Sequence, residues 1–166
     1  NIYDPMGGMR DLRQGIVKAV GNPYERFQED ALRMIRAIRF TVRFSFTLDA
    51  DTEKAIRENV ELVNSLSPNR LRIEIGKVLY YPNGFKMLME TGILPELMPE
   101  LRNLHQYKHN LKYHPEGNVY NHYIKTFETF TTIQSRTELG GWATLFHDIA
   151  KPQTAKWQGN FHTYYG

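Results

Sequence analysis

Apolar residues recur at helical spacing along most of the chain, most clearly in the arginine-rich segment 26–40. Its apolar positions fall three or four residues apart and form one stripe, with charged positions on an adjoining face. The pattern predicts one continuous helix, entered through Asn22-Pro23 and running to about residue 44. The predicted core stripe is Phe27, Ala31, Met34, Ile35 and Ile38. The predicted charged face carries Arg26, Asp30 and Arg33, followed by Ala37.

The same periodicity predicts helices over most of the remaining chain. Asp49 or Asp51 is a suitable N-cap for a helix over 52–63, and Ser67-Pro68 is a typical helix start. The glycine-bounded segment 15–21 is a short strand candidate. These elements together predict a mainly α protein.

Composition excludes several classes of protein. Of the 166 residues, 41% are hydrophobic and 13% aromatic, which argues against disorder. No apolar run approaches the roughly 20 residues that cross a bilayer. With no cysteine, the chain has neither disulfides nor a thiolate zinc site, and an intracellular location fits. The net charge of +3 is mild, but the arginines within 26–43 indicate an anionic partner.

The first candidate site lies in the arginine-rich segment. In one interpretation, the element Glu29-Asp30-x-x-Arg33 forms a surface ion pair and has no further role. Such a pair contributes about 0.3–0.5 kcal/mol on a helix. Alternatively, Asp30 accepts a hydrogen bond from the exocyclic amine of a nucleobase while Arg33 donates to its ring acceptors. In that interpretation Arg36 and Arg39 neutralise a triphosphate or an RNA backbone.

The second candidate site combines His122 with the doublet His147-Asp148. Imidazole and carboxylate groups brought together from two helices are suitable ligands for a divalent metal. The alternative is that His147 only interacts favourably with the end of a helix. The other histidines of the polar stretch 102–121 are expected to lie in a solvated loop, and that stretch is also the expected sub-domain boundary. These histidines are His105, His109 and His114.

Six short motifs follow one another along the chain. They are Asp4-Pro5-x-Gly7-Gly8-x-x-Asp11-Leu12, Arg26-Phe27-x-Glu29-Asp30-Ala31-Leu32-Arg33-x-x-Arg36-Ala37-x-Arg39-Phe40, Phe46-x-Leu48-Asp49-x-x-Thr52, Ser67-x-x-Arg70-x-x-x-Glu74, Tyr113-His114-Pro115-Glu116-Gly117 and His147-Asp148-Ile149-Ala150-Lys151-Pro152. No P-loop, dinucleotide-binding glycine motif, HExxH or GxSxG is visible. Read in order, the six motifs resemble the bacterial-type tRNA nucleotidyltransferase and poly(A) polymerase family, which includes the CCA-adding enzymes.

The resemblance implies three regions of a longer protein. Residues 1–22 would be a short remnant of the α/β catalytic head, and 23–101 a helical neck and body bundle that selects nucleotides and binds RNA. Residues 102–166 would be the start of an α-helical HD domain. The head's glycine-rich loop and its Mg²⁺-binding aspartates would precede Asn1, so we expect the chain to be a fragment that binds nucleotides without polymerising them.

The resemblance also implies an activity. The intact cytoplasmic enzyme would add CCA to the tRNA 3′ end from CTP and ATP without a nucleic-acid template. Asp30 and Arg33 would pair with the incoming base, and Arg36 and Arg39 would line the same nucleotide site. His122, His147 and Asp148 would hold a divalent metal in the HD domain. The expected partners are thus tRNA, CTP and ATP, with no membrane.

Three alternatives share these residues. A poly(A) polymerase of the same family would carry the same motifs. An HD-type, metal-dependent phosphohydrolase would use the preceding helices only as a scaffold. A third possibility is a passive RNA-binding module.

Overall fold

The computed structural model describes residues 3–164, and within them the protein is mainly α-helical, as the periodicity predicts. The helices are α1 (Gly8–Gln14), α2 (Pro23–Glu29), α3 (Leu32–Phe44), α4 (Ala50–Glu58), α5 (Pro68–Leu79), α6 (Gly84–Glu90), α7 (Ile93–Leu97), α8 (Val119–Thr132), α9 (Glu138–Phe146) and α10 (Lys151–Thr154). Short 3-10 helices cover Val60–Ser65, Pro99–Leu101 and Leu104–Gln106. No helix in the described range is long and apolar enough to cross a lipid bilayer.

Residues 3–164 also contain two small sheets. Strand β1 (Ile16–Val17) pairs in parallel with β2 (Thr47–Leu48), so that Ile16 lies opposite Thr47. Strand β3 (Lys156–Gln158) pairs antiparallel with β4 (Phe161–Thr163). The strand predicted within 15–21 is therefore present but covers only two residues.

The arginine-rich segment forms two helices, so the prediction of one continuous helix was wrong. Asp30 interrupts it with an extended backbone, at φ −153° and ψ 102°. Its side-chain Oδ1 accepts a hydrogen bond from the backbone N–H of Leu32 at 3.1 Å, and its carbonyl accepts from Arg33 N–H at 3.1 Å. Aspartate competes well for the first free N–H groups of a helix, which is why α3 begins here.

The predicted core stripe is confirmed despite that break. Met34, Ile35 and Ile38 are fully buried on α3, which packs mainly against α5 and α6. Phe27 and Ala31, from α2 and the junction, are also buried. Burial of each large apolar side chain contributes roughly 1.5–3 kcal/mol, so this stripe fixes α3 in the centre of the bundle.

Helix starts follow the sequence signals more closely than helix ends. Asp49 caps α4, accepting from the N–H of Thr52 at 3.1 Å. Helix α4 ends earlier than expected, because Asn59 donates its side-chain amide to the carbonyl of Ala55 and a 3-10 helix follows. Helix α5 begins at Pro68 as predicted, although the Ser67 side chain makes no capping hydrogen bond.

The carboxyl-terminal helices pack directly on the helices before them. Helix α9 crosses α5 at two glycines, where side chains would obstruct the approach. A Cβ atom at Gly141 would lie 3.1 Å from the Cβ of Leu79, and one at Gly76 would lie 2.9 Å from Nε1 of Trp142. The polar stretch 102–121 therefore lies between the helices α1–α7 and the helices α8–α10 in sequence, but the two groups remain in contact through α5 and α9.

Candidate functional site

Glu29 joins two of the arginines near the junction of α2 and α3. Its Oε1 lies 2.6 Å from Nη2 of Arg26, and its Oε2 lies 2.7 Å from Nη1 of Arg33. Nη1 of Arg33 also donates to the carbonyl of Arg26 at 3.2 Å. The Arg33 side chain is 43% exposed, so these contacts orient the guanidinium at the surface without enclosing it.

Asp30 lies next to this cluster but pairs with a different arginine. Nη2 of Arg70, in the first turns of α5, is 3.1 Å from both carboxylate oxygens of Asp30. Helical spacing suggested an ion pair between Asp30 and Arg33. In the structure Asp30 pairs with Arg70 instead, and Arg33 pairs with Glu29. The break at Asp30 is the reason, since it removes the shared helical face that the spacing assumed.

A cavity of about 440 Å³ opens beside these residues. Arg26, Arg33 and Arg36 line it together with the rings of Phe27 and Phe40. Arg36 is exposed and has no ion-pair partner among residues 3–164. Guanidinium groups beside an aromatic side chain suit a flat, anionic ligand, because they can bind phosphate while the partly exposed Phe40 contacts a base.

Arg39 lies elsewhere. Its Nη1 is 3.1 Å from Oε2 of Glu74 on α5, and Nζ of Lys77 is 3.1 Å from Oε1 of the same carboxylate. The side chains of Arg39 and Glu74 are only 14% and 11% exposed. Arg39 lines a separate cavity of about 470 Å³, together with Arg43 and Lys77. The structure therefore separates Arg39 from the cavity that Arg33 and Arg36 share.

The three predicted metal ligands converge. Nε2 of His122 and Nε2 of His147 lie 3.2 and 3.1 Å from Oδ2 of Asp148, and 3.2 Å from each other. Ligand atoms around a tetrahedral divalent ion at 2.0–2.1 Å lie about 3.3 Å apart, so the spacing fits such an ion. Two imidazoles and one carboxylate form a donor set that suits a transition metal better than Mg²⁺.

Local structure holds both imidazoles in place. His122 lies in the first turn of α8, which Asn118 caps by accepting from the N–H of Asn121 at 2.8 Å. His147 follows α9, and its Nδ1 is 2.7 Å from the carbonyl of Thr144. Between the helices, the buried hydroxyl of Tyr123 donates to the carbonyl of Leu145 at 3.0 Å. These bonds leave Nε2 of each histidine directed at Asp148.

Lys151 is a functional candidate that the sequence reasoning did not single out. Its Nζ lies 2.6 Å from Oδ2 of Asp148. Burial opposes ionisation of Asp148, but hydrogen bonds from His122, His147 and Lys151 outweigh it and hold the pKa of Asp148 well below its usual range. The hydrogen bond to Asp148 likewise raises the pKa of His147. Asp148 is therefore ionised near neutral pH, as a metal ligand requires.

Glu116 is a second residue that was missed. Its Oε1 lies 2.6 Å from Nδ1 of His122 and 3.0 Å from Nδ1 of His114. Burial opposes its ionisation, yet hydrogen bonds from its own backbone N–H and both histidines lower the pKa of Glu116 to about 2. A carboxylate at Nδ1 of a metal-binding histidine fixes the tautomer and directs Nε2 at the metal. Its position in the Tyr113–Gly117 motif was the available signal.

The expectation that His105, His109 and His114 lie in a solvated loop was only partly right. His105 is exposed, and the His114 side chain is 37% exposed. His109 is 3% exposed, and its burial lowers the pKa of His109 to about 4. The loop folds back on itself, because Lys108 pairs with Asn118 and the N–H of His109 donates to the carbonyl of Gly117 at 2.9 Å.

Comparisons with known proteins agree with this arrangement. A family model described as "Probable RNA and SrmB- binding site of polymerase A" matches residues 45–104. A CCA-adding enzyme of Limosilactobacillus reuteri is 42% identical over 105 residues, covering 61% of this chain and 26% of the relative. A CCA-adding enzyme of Bacillus subtilis is 37% identical over 149 residues, covering 89% of this chain and 34% of the relative.

A solved structure of a CCA-adding enzyme also matches the fold of this chain. The crystal structure of the Bacillus stearothermophilus CCA-adding enzyme in complex with CTP matches with a TM-score of 0.65 and 29% identity. The match covers 90% of this chain and 35% of that protein. The chain thus spans about a quarter to a third of the length of these relatives. Because the motifs, the helical fold and the relatives agree, the chain belongs to the tRNA nucleotidyltransferase and poly(A) polymerase family.

Proposed function

We propose that this chain is the nucleotide-selecting and RNA-binding part of a tRNA nucleotidyltransferase that adds CCA to tRNA 3′ ends from CTP and ATP. Residues 1–22 would close the catalytic head, 23–101 would form the neck and body, and 102–166 would belong to the HD domain. The proposed enzyme acts in the cytoplasm. The head of the intact protein would bind Mg²⁺, which aligns the attacking 3′-hydroxyl and stabilises the departing pyrophosphate.

The observation that carries this proposal is the cavity that Arg26, Arg33 and Arg36 line; Asp30 lies at the adjoining helix junction and does not itself line it. Arg33 and Arg36 reach it from one helix, and Phe27 and Phe40 supply apolar walls. The Asp30 side chain is 30% exposed, so its carboxylate can accept a hydrogen bond from the amine of a base. In this proposal Asp30 and Arg33 read the base, Arg36 binds phosphate, and Arg39 stabilises the packing of α3 on α5 through Glu74.

Relatives support the assignment of substrates. The Bacillus stearothermophilus structure contains CTP bound to a CCA-adding enzyme, and both curated relatives are CCA-adding enzymes. The direct test incubates the full-length protein carrying this chain with tRNA lacking its terminal CCA and with each triphosphate, followed by sequencing of the product 3′ ends. CCA ends support the proposal. Runs of adenosine would indicate a poly(A) polymerase, and unextended tRNA would contradict both.

A second candidate function rests on the separate cluster of His122, His147 and Asp148. Their ligand atoms lie 3.1–3.2 Å apart, which favours a metal-dependent phosphohydrolase site in the HD region. A bound divalent cation would lower the pKa of a bound water and polarise a phosphate ester. Here Glu116 would orient His122, and Lys151 would neutralise charge beside Asp148. Hydrolysis of a generic phosphodiester by the metal-loaded protein tests this activity.

A further inference from the structure

A second group of metal-ligating side chains lies on the other side of His122. His109, His114 and Glu116 each present a ligand atom, and these atoms lie within 4.8 Å of one another and of a ring nitrogen of His122. The group differs from the His122, His147 and Asp148 set, with which it shares only the His122 ring. We propose that His109, His114 and Glu116 form a second cation site, specific for a divalent transition metal such as Zn²⁺, Co²⁺ or Ni²⁺.

The first support for this site is an unsatisfied buried nitrogen. His109 is 3% exposed, and its Nδ1 has no hydrogen-bond partner among the described residues. Buried polar atoms in native proteins are nearly always paired, and a bound metal ion is a partner that would satisfy this nitrogen. The opposite nitrogen, Nε2, lies 3.5 Å from Nζ of Lys151.

The second support is the construction of the loop that carries the ligands. The Lys108–Asn118 bridge closes the loop, and the carbonyl of Glu116 accepts from the Asn121 side chain at 2.9 Å. Gly117 takes a left-handed backbone at φ +89°, which returns the chain to α8 directly after Glu116. His109 and Glu116 are thereby held together before any ligand binds, and a preorganised set binds a metal with less loss of conformational entropy.

The donor atoms indicate which metal binds. Two imidazoles and one carboxylate suit Zn²⁺, Co²⁺ or Ni²⁺, whereas Mg²⁺ and Ca²⁺ prefer a set made of oxygen atoms. Three protein ligands leave a fourth tetrahedral position for water or a substrate oxygen. His109 and His114 also line a cavity of about 400 Å³ that gives this position access to solvent.

The test measures metal stoichiometry rather than catalysis. The full chain, stripped with a chelator, is dialysed against ZnCl₂ and its zinc counted by native mass spectrometry, then repeated with CoCl₂ and visible absorption. We expect two ions per wild-type chain. His147→Ala, which removes a ligand of the first set only, should retain one ion, and His147→Ala combined with His114→Ala should retain none. His105→Ala, an exposed histidine outside both groups, should retain two.

Two outcomes contradict the second site. Loss of all zinc in His147→Ala, whether the wild type holds one ion or two, would mean that Glu116 only orients His122. Two ions retained in His114→Ala would place the second ion elsewhere. His114→Gln, which preserves side-chain bulk, and circular dichroism melting of every variant exclude unfolding as the cause of metal loss. A single ion in the wild type that His147→Ala retains and His114→Ala loses would contradict the HD phosphohydrolase proposal and leave this one standing.

Discussion

The guanidinium of Arg70 holds both carboxylate oxygens of Asp30, with Nη2 3.1 Å from each. These residues lie 40 positions apart and join the junction of α2 and α3 to the start of α5. A base that hydrogen-bonds to Asp30 must share or displace this arginine. The pair is partly exposed, so its contribution to stability is small, up to about 1 kcal/mol. Binding of a nucleotide can therefore compete with it.

Asp30→Asn is expected to reduce discrimination between cytidine and adenosine triphosphates. The amide keeps an oxygen for the N–H of Leu32 but loses the charge and half of the acceptors that a base amine needs. A bidentate base contact contributes about 1–3 kcal/mol of discrimination, so selectivity should fall roughly tenfold. Calorimetric titration with CTP and with ATP measures the ratio of the two affinities. Glu61→Gln, which alters an exposed carboxylate outside the cavity, is the control. Unchanged selectivity in Asp30→Asn would contradict the base-reading role of Asp30.

Arg36→Ala is expected to weaken binding of any nucleoside triphosphate by about tenfold or more without changing selectivity. Arg36 is exposed and unpaired within residues 3–164, so the loss reflects one charge-assisted hydrogen bond of about 1.5–3 kcal/mol. The thermal midpoint should stay unchanged for the same reason. Arg13→Ala on α1 is a matched removal of an exposed arginine. Equal weakening by both variants would point to net charge instead of a specific phosphate contact.

Arg39→Ala is expected to lower stability more than nucleotide binding. Its loss leaves the largely buried Glu74 with Lys77 as its remaining partner, at a cost of about 1.5–3 kcal/mol. Urea unfolding followed by far-ultraviolet circular dichroism measures this cost. Arg43→Ala, four residues along the same helix and exposed, should change stability far less. A stable Arg39→Ala protein that has lost CTP binding would restore Arg39 to the nucleotide site.

His147→Ala is expected to abolish metal-dependent phosphohydrolysis while CCA addition by the full-length protein persists. The reason is spatial, because the ligand cluster uses α8 and α9 whereas the arginine-lined cavity uses α2, α3 and β1. Both activities should be measured on the same preparation. Ala143→Gly, an exposed change on α9, serves as the control. Joint loss of both activities would mean that the two sites are not separate.

Gly141→Val is expected to destabilise the protein by about 1–3 kcal/mol through overpacking. The new Cβ would lie 3.1 Å from Leu79 Cβ, where α9 packs against the last turn of α5. Ala143→Val introduces the same side chain on an exposed position of the same helix and should cost only a few tenths of a kcal/mol. Differential scanning calorimetry compares the two. Equal thermal midpoints would show that the α5–α9 contact tolerates separation.

Local patterns in the sequence predicted those features that depend on neighbouring residues. The apolar stripe from Phe27 to Ile38 is buried as expected, because its spacing matches helices on both sides of the break. The start of α5 at Pro68 and the Asp49 cap follow from the preferences of single residues. His122 and His147-Asp148 come together as the family motif predicts.

Features that depend on distant residues were not predictable in this way. Nothing near Asp30 indicates that Arg70 would take its carboxylate, since that contact requires the packing of α5. Helical spacing and the family resemblance both grouped Arg39 with Arg36, and the position of Glu74 on α5 separates it. His109 lies in a polar stretch whose composition suggests solvent, and its burial follows from the Lys108–Asn118 bridge.

Helix α5 contacts elements of both candidate sites. Its first turns carry Arg70, which holds Asp30, and its last turn contacts α9 at Gly141, six residues before His147. Between those ends, Glu74 anchors it to α3. The twelve residues of α5 span about 18 Å, so its two ends contact different parts of the protein. Release of Arg70 by an incoming nucleotide would free only the first turns of α5, because Glu74 and the contact with α9 hold the rest of the helix, so occupation of one site should leave the geometry of the other unchanged.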